Sequence, residues 1–157
     1  MPAKKNTLIE FLDINGISYE TIRHEEAITA QEIAAAAHVS GHELAKTVII
    51  TVDGEMAMAV LPATFQIDLK QLKKAIGAKK VALADENAFK DRFEDCEPGA
   101  MPPFGNLYDM VVYAAETLAE DEQIAFNAGS HTLLVKMAWA DYEKLVGPTI
   151  MKFSQLD

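Results

Sequence analysis

The stretch Ala45-Lys46-Thr47-Val48-Ile49-Ile50-Thr51-Val52-Asp53-Gly54-Glu55-Met56-Ala57-Met58-Ala59-Val60-Leu61-Pro62 decides the fold. Two apolar runs, the first rich in β-branched residues, flank an Asp-Gly pair, the strongest short signal for a two-residue hairpin. The pattern predicts strands over Ala45–Val52 and Glu55–Leu61, with Pro62 closing the second. One residue is out of character. Lys46 stands at the mouth of a run that reads as buried, and a buried ammonium must be paired or must change its protonation state. Two readings stand: a strand-end lysine whose stem packs while its head reaches water, or a fixed cation at a pocket edge, facing a phosphate or a polarised carbonyl.

Outward from the hairpin, helices and strands alternate. Toward the N-terminus, Leu8, Phe11 and Leu12 give helical spacing over Thr7–Asn15, with Gly16 as the stop. Ser18–Arg23 alternates and reads as a strand. Thr29 is an N-cap for a small-faced helix over Ala30–His38, and Glu32 completes a capping box. Toward the C-terminus, Asp68 caps a helix over Leu69–Ile76 that carries leucines on one face, lysines on the other and Gly77 as its stop. A short strand over Lys80–Ala84, a helix over Asp85–Phe93 and a Pro/Gly loop over Glu97–Gly105 follow. Strands are predicted over Met110–Ala115, Ile124–Asn127 and Thr132–Met137, and a last helix over Ala140–Val146 ends at Gly147-Pro148. This interleaving predicts one α/β domain over residues 1–157 with a mixed sheet.

Composition agrees. A chain of 157 residues with 50% hydrophobic content builds a full single-domain core. Mean hydropathy near zero and 24% charged residues describe a soluble globular protein. No apolar run is long enough to cross a bilayer, and Met1–Asn6 has no apolar signal core. Cys96 is the only cysteine, so neither an internal disulfide nor a thiolate cluster is available. These points predict a cytoplasmic location with no membrane partner. The net charge of -10 argues against non-specific binding of DNA or other nucleic acid, which needs a basic field. A local basic patch remains in Lys70, Lys73, Lys74, Lys79 and Lys80, a solvated helix face or a phosphate-backbone contact. His24, His38 and His42 lack partners at metal-ligand spacing, and neither a phosphate-binding glycine loop nor a nucleophile elbow occurs. No metal and no cofactor are expected.

Two further segments are candidates for chemistry. In Pro98-Gly99-Ala100-Met101-Pro102-Pro103-Phe104-Gly105 the prolines stiffen a loop between two glycines. Such a loop either walls a small apolar pocket with Met101 and Phe104 or is a structural crossover. In Gly129-Ser130-His131, the glycine N–H could meet a ligand oxygen and the histidine could act as base or orienting donor. The alternative is a β-bulge beside a surface histidine. Cys96, among acidic neighbours, reads as structural.

Taken together and in this order, these segments resemble the YbaK/prolyl-tRNA synthetase editing-domain family of free-standing aminoacyl-tRNA deacylases. The resemblance rests on Ala45-Lys46-Thr47-Val48-Ile49, Leu61-Pro62, Ile67-Asp68-Leu69-Lys70-Gln71-Leu72 and Gly77-Ala78-Lys79-Lys80-Val81. It continues through Pro98-Gly99 to Pro103-Phe104-Gly105 and Phe126-Asn127-Ala128-Gly129-Ser130-His131, covering roughly Ser18 to Leu145. It implies a mixed α/β fold with a partly barrelled central sheet flanked by helices. It implies hydrolysis of the ester joining a wrong amino acid to the tRNA 3′ end, often on the tRNA for proline, with an aminoacyl-tRNA synthetase as a further partner. The family's lysine falls on Lys46, its glycine near the carbonyl on Gly129 and its histidine on His131. Substrate-binding positions fall on Thr47, Gly99, Met101, Pro103, Phe104, Gly105 and Ser130. Thr47 stands where members that edit alanine often carry asparagine, and Met101-Pro102 replaces smaller or polar residues. The alternative expectation is a non-catalytic module on the same fold, binding a small ligand, a nucleotide or a protein.

Overall fold

The computed structural model describes residues 7–23, 44–97 and 100–156. The expected Ala30–His38 helix and its Thr29 cap lie outside the described residues, as do His24, His38, His42, Pro98 and Gly99.

The hairpin forms as the sequence predicts. Strands β2 (Ala45–Val52) and β3 (Glu55–Pro62) pair antiparallel in an unbroken register from Ala45↔Pro62 to Val52↔Glu55. Asp53 and Gly54 have φ of 50° and 89°, both positive, as a type I′ turn requires. Asp53 also ties down the next crossover. Its carboxylate accepts the N–H groups of Lys79 and Lys80 at 2.9 and 2.8 Å, and its own N–H donates to the Lys80 carbonyl at 2.8 Å. These bonds start β5 (Val81–Leu83), which pairs antiparallel with the far end of β2.

On its other side β3 pairs in parallel with β6 (Val111–Ala115), and β6 in parallel with β9 (Thr149–Met151), giving a mixed sheet ordered β5-β2-β3-β6-β9. A second sheet holds β1 (Tyr19–Arg23), β8 (Leu133–Ala138) and β7 (Gln123–Ser130) in the order β1-β8-β7. A short ribbon pairs β4 (Phe65–Ile67) with β10 (Ser154–Leu156). Among the described residues the two larger sheets meet at one parallel bridge, Leu44↔Ala125. The mixed α/β architecture is therefore as expected, but the sheet does not close into a barrel. A register shift between Asn127 and Ser130 marks a bulge in β7 where it pairs with β8.

Strand alternation sorts the hairpin into two cores. Ala45, Ile49, Met58 and Val60 face the first, with Phe126 of β7, Val135 of β8, Leu8 and Leu12 of α1 (Thr7–Ile14), and Tyr142 of a C-terminal helix. Ile50, Ala57, Ala59 and Leu61 face the second, with Phe65, Phe153 and Leu72 of α2 (Leu69–Ile76). Helix α2 is capped at both ends: Asp68 Oδ1 accepts the Gln71 N–H at 3.0 Å, and Gly77, at φ 78°, donates to the Lys73 carbonyl.

Other elements depart from the sequence reading. The Asp85–Phe93 helix is split into α3 (Glu86–Phe89) and a 3-10 turn over Lys90–Phe93. The tighter turn carries Phe93 into the first core, its ring 4.5 Å from that of Tyr108. Strand β7 runs on through Gly129 to Ser130 instead of ending at Asn127. Strands β4, β9 and β10 went unpredicted, because three residues are too few to display a period. The last helix, α4, spans Trp139–Val146 and ends at Gly147.

Candidate active site

The loop and the Gly129 segment form one substructure. Gly129 sits in the β7 bulge at φ 90°. Its carbonyl accepts the Glu97 N–H at 2.8 Å and its N–H donates to the Ala100 carbonyl at 3.0 Å. The Glu97 carboxylate in turn accepts the His131 N–H at 3.1 Å. Three hydrogen bonds across about thirty residues of chain thus pin the start of the loop, at Glu97 and Ala100, to the strand. The Gly129 N–H, expected to face a substrate oxygen, is occupied by Ala100. A Cβ at this position would make only ordinary contacts, 3.5 Å from the Asp95 carbonyl and 3.6 Å from Cys96 Sγ. Glycine is therefore required here by its backbone angle. Ser130 serves the hairpin turn: its Oγ accepts the Thr132 N–H at 3.1 Å and lies 2.9 Å from Thr132 Oγ1. His131, half-buried, occupies that turn.

Loop residues Met101, Pro103, Phe104 and Gly105 are buried. The Phe104 ring lies 5.4 Å from both Phe126 and Tyr142 and 6.1 Å from Phe11, at the centre of the first core. The Pro103 carbonyl accepts the Tyr142 hydroxyl at 2.8 Å. Burial pushes that hydroxyl far above the ordinary tyrosine range, so it stays a neutral donor. Gly105 packs so closely on β6 that a Cβ would lie 2.4 Å from the Met110 carbonyl oxygen. The loop is thus held from beneath by Phe104 and Gly105, and these two residues set its course.

Sequence reasoning missed the groups that brace this loop. Glu97 opens it and carries no local motif. Tyr108 donates its hydroxyl to Asp95 at 3.1 Å and lies 3.4 Å from Cys96 Sγ. Burial, reinforced by the contact with Cys96, pushes the Tyr108 hydroxyl well above its usual range. Cys96 is part of this bracing cluster.

Lys46 and Thr47 point to opposite faces of β2. Ala45 and Ile49 face the first core, so Thr47 shares their side, while Lys46 shares the side of Ile50 and pairs in register with Leu61. Lys46 is half-buried. The Leu44↔Ala125 bridge is parallel, which puts Asn127 at the position matching Lys46, two residues further along each strand. Phe126 and Ala128 enter the first core, so the Asn127 side chain points to the Lys46 side. The bridge is isolated, and these two residues lie just past it where the two sheets meet.

The five lysines expected at a phosphate backbone, Lys70, Lys73, Lys74, Lys79 and Lys80, are all exposed. Lys79 and Lys80 lie by the Asp53 turn, about 20 Å along β2 from Lys46 at strand rise. Among the described residues no group of three or more His, Cys, Asp or Glu is placed to hold a metal ion, and no helix is long and apolar enough to cross a membrane.

One sheet thus presents a half-buried lysine on β2 and the other a loop-clamped glycine bulge on β7, and comparison with known proteins gives the family. The aminoacyl-tRNA editing domain family matches residues 24–145. The multifunctional Ser/Thr-tRNA deacylase ProXp-y of Escherichia coli K12 is 30% identical over 151 residues, 93% of this chain and 90% of that protein. The prolyl-tRNA editing protein ProX of Acetoanaerobium sticklandii is 25% identical over 148 residues, 90% of each. The crystal structure of hypothetical protein APE2540 superposes with a TM-score of 0.83 at 20% identity, covering 94% of this chain and 99% of that one, a likeness of fold. This chain belongs to the aminoacyl-tRNA editing domain family. It is an aminoacyl-tRNA deacylase, an ester hydrolase acting on mischarged tRNA.

Proposed function

We propose that this deacylase acts in trans, in the cytoplasm, on tRNA mischarged with serine or threonine, the tRNA for proline among its substrates. The similarity to ProXp-y over nearly the whole chain supports the amino acid, and the similarity to ProX supports the tRNA. A synthetase is the natural source of the misacylated substrate and a transient partner.

In this reading Lys46 is the catalytic cation. Its place two residues past the bridge that joins the sheets, half-buried and in register with apolar Leu61, is the observation that supports the assignment. An ammonium in such a setting stabilises the oxyanion that develops as water attacks the ester carbonyl. His131 orients the attacking water or the neighbouring ribose hydroxyl. Gly129 acts indirectly, through the bulge that places His131 and holds the loop at Ala100. Thr47, on the first-core face of β2 where Met101 is buried, supports the strand that carries Lys46, and Ser130 shapes the turn. Positioning supplies much of the rate, since holding water, ester and cation in register replaces a costly encounter. The exposed lysines of α2 and of the segment after it take the tRNA backbone.

The test is a panel of mischarged tRNAs, seryl and threonyl included, with wild type and Lys46→Ala. Wild type is expected to release serine or threonine, and Lys46→Ala to lose at least about a hundredfold in kcat/KM, as removal of one oxyanion partner does, with an unchanged circular dichroism spectrum. A panel left intact by wild type overturns the proposal.

A further inference from the structure

Asn127 is a polar residue in a strand whose neighbours are buried and apolar. Ala125 and Leu134, its neighbours along β7 and across the β7–β8 pair, are both fully buried. Its Oδ1 is buried and accepts no hydrogen bond among the described residues. Such an acceptor costs stability wherever nothing donates to it. It occupies the position matching Lys46 two residues past the bridge that joins the sheets, and the bulge in β7 begins directly after it.

We infer that Asn127 is the specificity-determining residue of this site, and that its Oδ1 accepts the side-chain hydroxyl of a seryl or threonyl group on the tRNA. The inference rests on the deacylase reading of the Lys46 site and deepens it. An amide oxygen asks for an N–H or O–H donor. The donors at the end of an aminoacyl-tRNA are the α-ammonium, the hydroxyls and the amino group of the terminal adenine, and of these only the α-ammonium and a side-chain hydroxyl belong to the amino acid. A neutral hydroxyl suits a position beside the Lys46 ammonium, where a second cation is repelled. Serine and alanine differ by that hydroxyl alone. A site whose buried acceptor is satisfied only by the hydroxylated substrate discriminates against the other, because the acceptor stays unpaired when alanine binds.

The test measures kcat/KM on seryl-tRNA and alanyl-tRNA of one tRNA sequence, for wild type, Asn127→Ala, Asn127→Leu and Asn127→Asp, together with each protein's unfolding midpoint. Wild type is expected to favour the seryl substrate. Asn127→Ala and Asn127→Leu are expected to lose about 10- to 100-fold on seryl-tRNA, the worth of one buried hydrogen bond, and less than about threefold on alanyl-tRNA. Asn127→Asp keeps an acceptor oxygen and is expected to keep the preference. Asn127→Leu is expected to unfold no earlier than wild type, since it removes an unsatisfied buried acceptor. An equal loss on both substrates, as a bond to the ribose hydroxyl or a merely structural role would give, overturns the inference. So does a wild type that hydrolyses alanyl-tRNA as fast as seryl-tRNA. A wild type inert on every mischarged tRNA is the separate failure of the deacylase reading, and this assignment falls with it.

Discussion

Replacing Gly105 with alanine tests how the loop is held. An ideal Cβ there lies 2.4 Å from the Met110 carbonyl oxygen and 2.6 Å from Val112 Cγ2. Non-bonded carbons prefer about 3.5–4.0 Å, so both contacts overlap by about 1 Å. Neither neighbour yields easily. One is backbone, and the other is a β-branched side chain with 4% exposure. Backing away also strains the Gly105 carbonyl, which accepts the N–H groups of Tyr108 and Met110, each at 2.9 Å. Overpacking costs about 1–3 kcal/mol and each weakened hydrogen bond about 1, so the expected loss is about 3–5 kcal/mol. In a domain of this size that lowers the melting temperature by about 6–20 °C. Gly16 and Gly77 are the controls. Their φ values are +65° and +78°, with no atom within 4 Å of the added Cβ. Alanine there meets backbone strain alone, about 1–2 kcal/mol. Urea unfolding of the three variants separates crowding from strain. A Gly105→Ala loss no larger than that of Gly77→Ala would refute the packing argument.

Further outcomes follow from the same geometry. Tyr142→Phe strands the buried Pro103 carbonyl and should cost about 1–3 kcal/mol in urea unfolding. It should also flatten the alkaline limb of the stability curve. The folded Tyr142 pKa is raised above the unfolded value of 10.0, so below that pH both states hold the proton and nothing changes. Above it the unfolded chain ionises first, and wild type should lose about 1.4 kcal/mol per pH unit from this residue. Replacing Lys70, Lys73 and Lys74 together by alanine should raise KM for mischarged tRNA with little change in kcat, and reduce the salt dependence of KM by up to about three phosphate contacts. An unaltered salt slope would make that helix face a solvated surface and nothing more.

The legibility of this protein follows the range of its interactions. The β2–β3 hairpin, its Asp53-Gly54 turn and the Asp68 and Gly77 caps are set by neighbours a few residues apart, and each formed where the local pattern put it. The order of the Lys46, Pro/Gly and Gly129 segments was enough to name the family. Helix over Asp85–Phe93 failed as a single element because burial of Phe93 outweighed local spacing. The three-residue strands carry no period and exist only through their partners.

The candidate site divides along the same line. Residue types and their order, by themselves, determined that a lysine opens a buried strand and that two glycine segments follow it, because chemistry and chirality are properties of single residues. Tertiary structure alone decided what those groups do. Ala100 takes the Gly129 N–H, Phe104 sinks into the core between Phe126 and Tyr142, and Glu97 reaches His131. The single Leu44↔Ala125 bridge brings Asn127 level with Lys46 although they are far apart in the chain. Hydrogen bonds and side-chain faces of this kind depend on strand register across long separations, and register is set by the packing of both cores together.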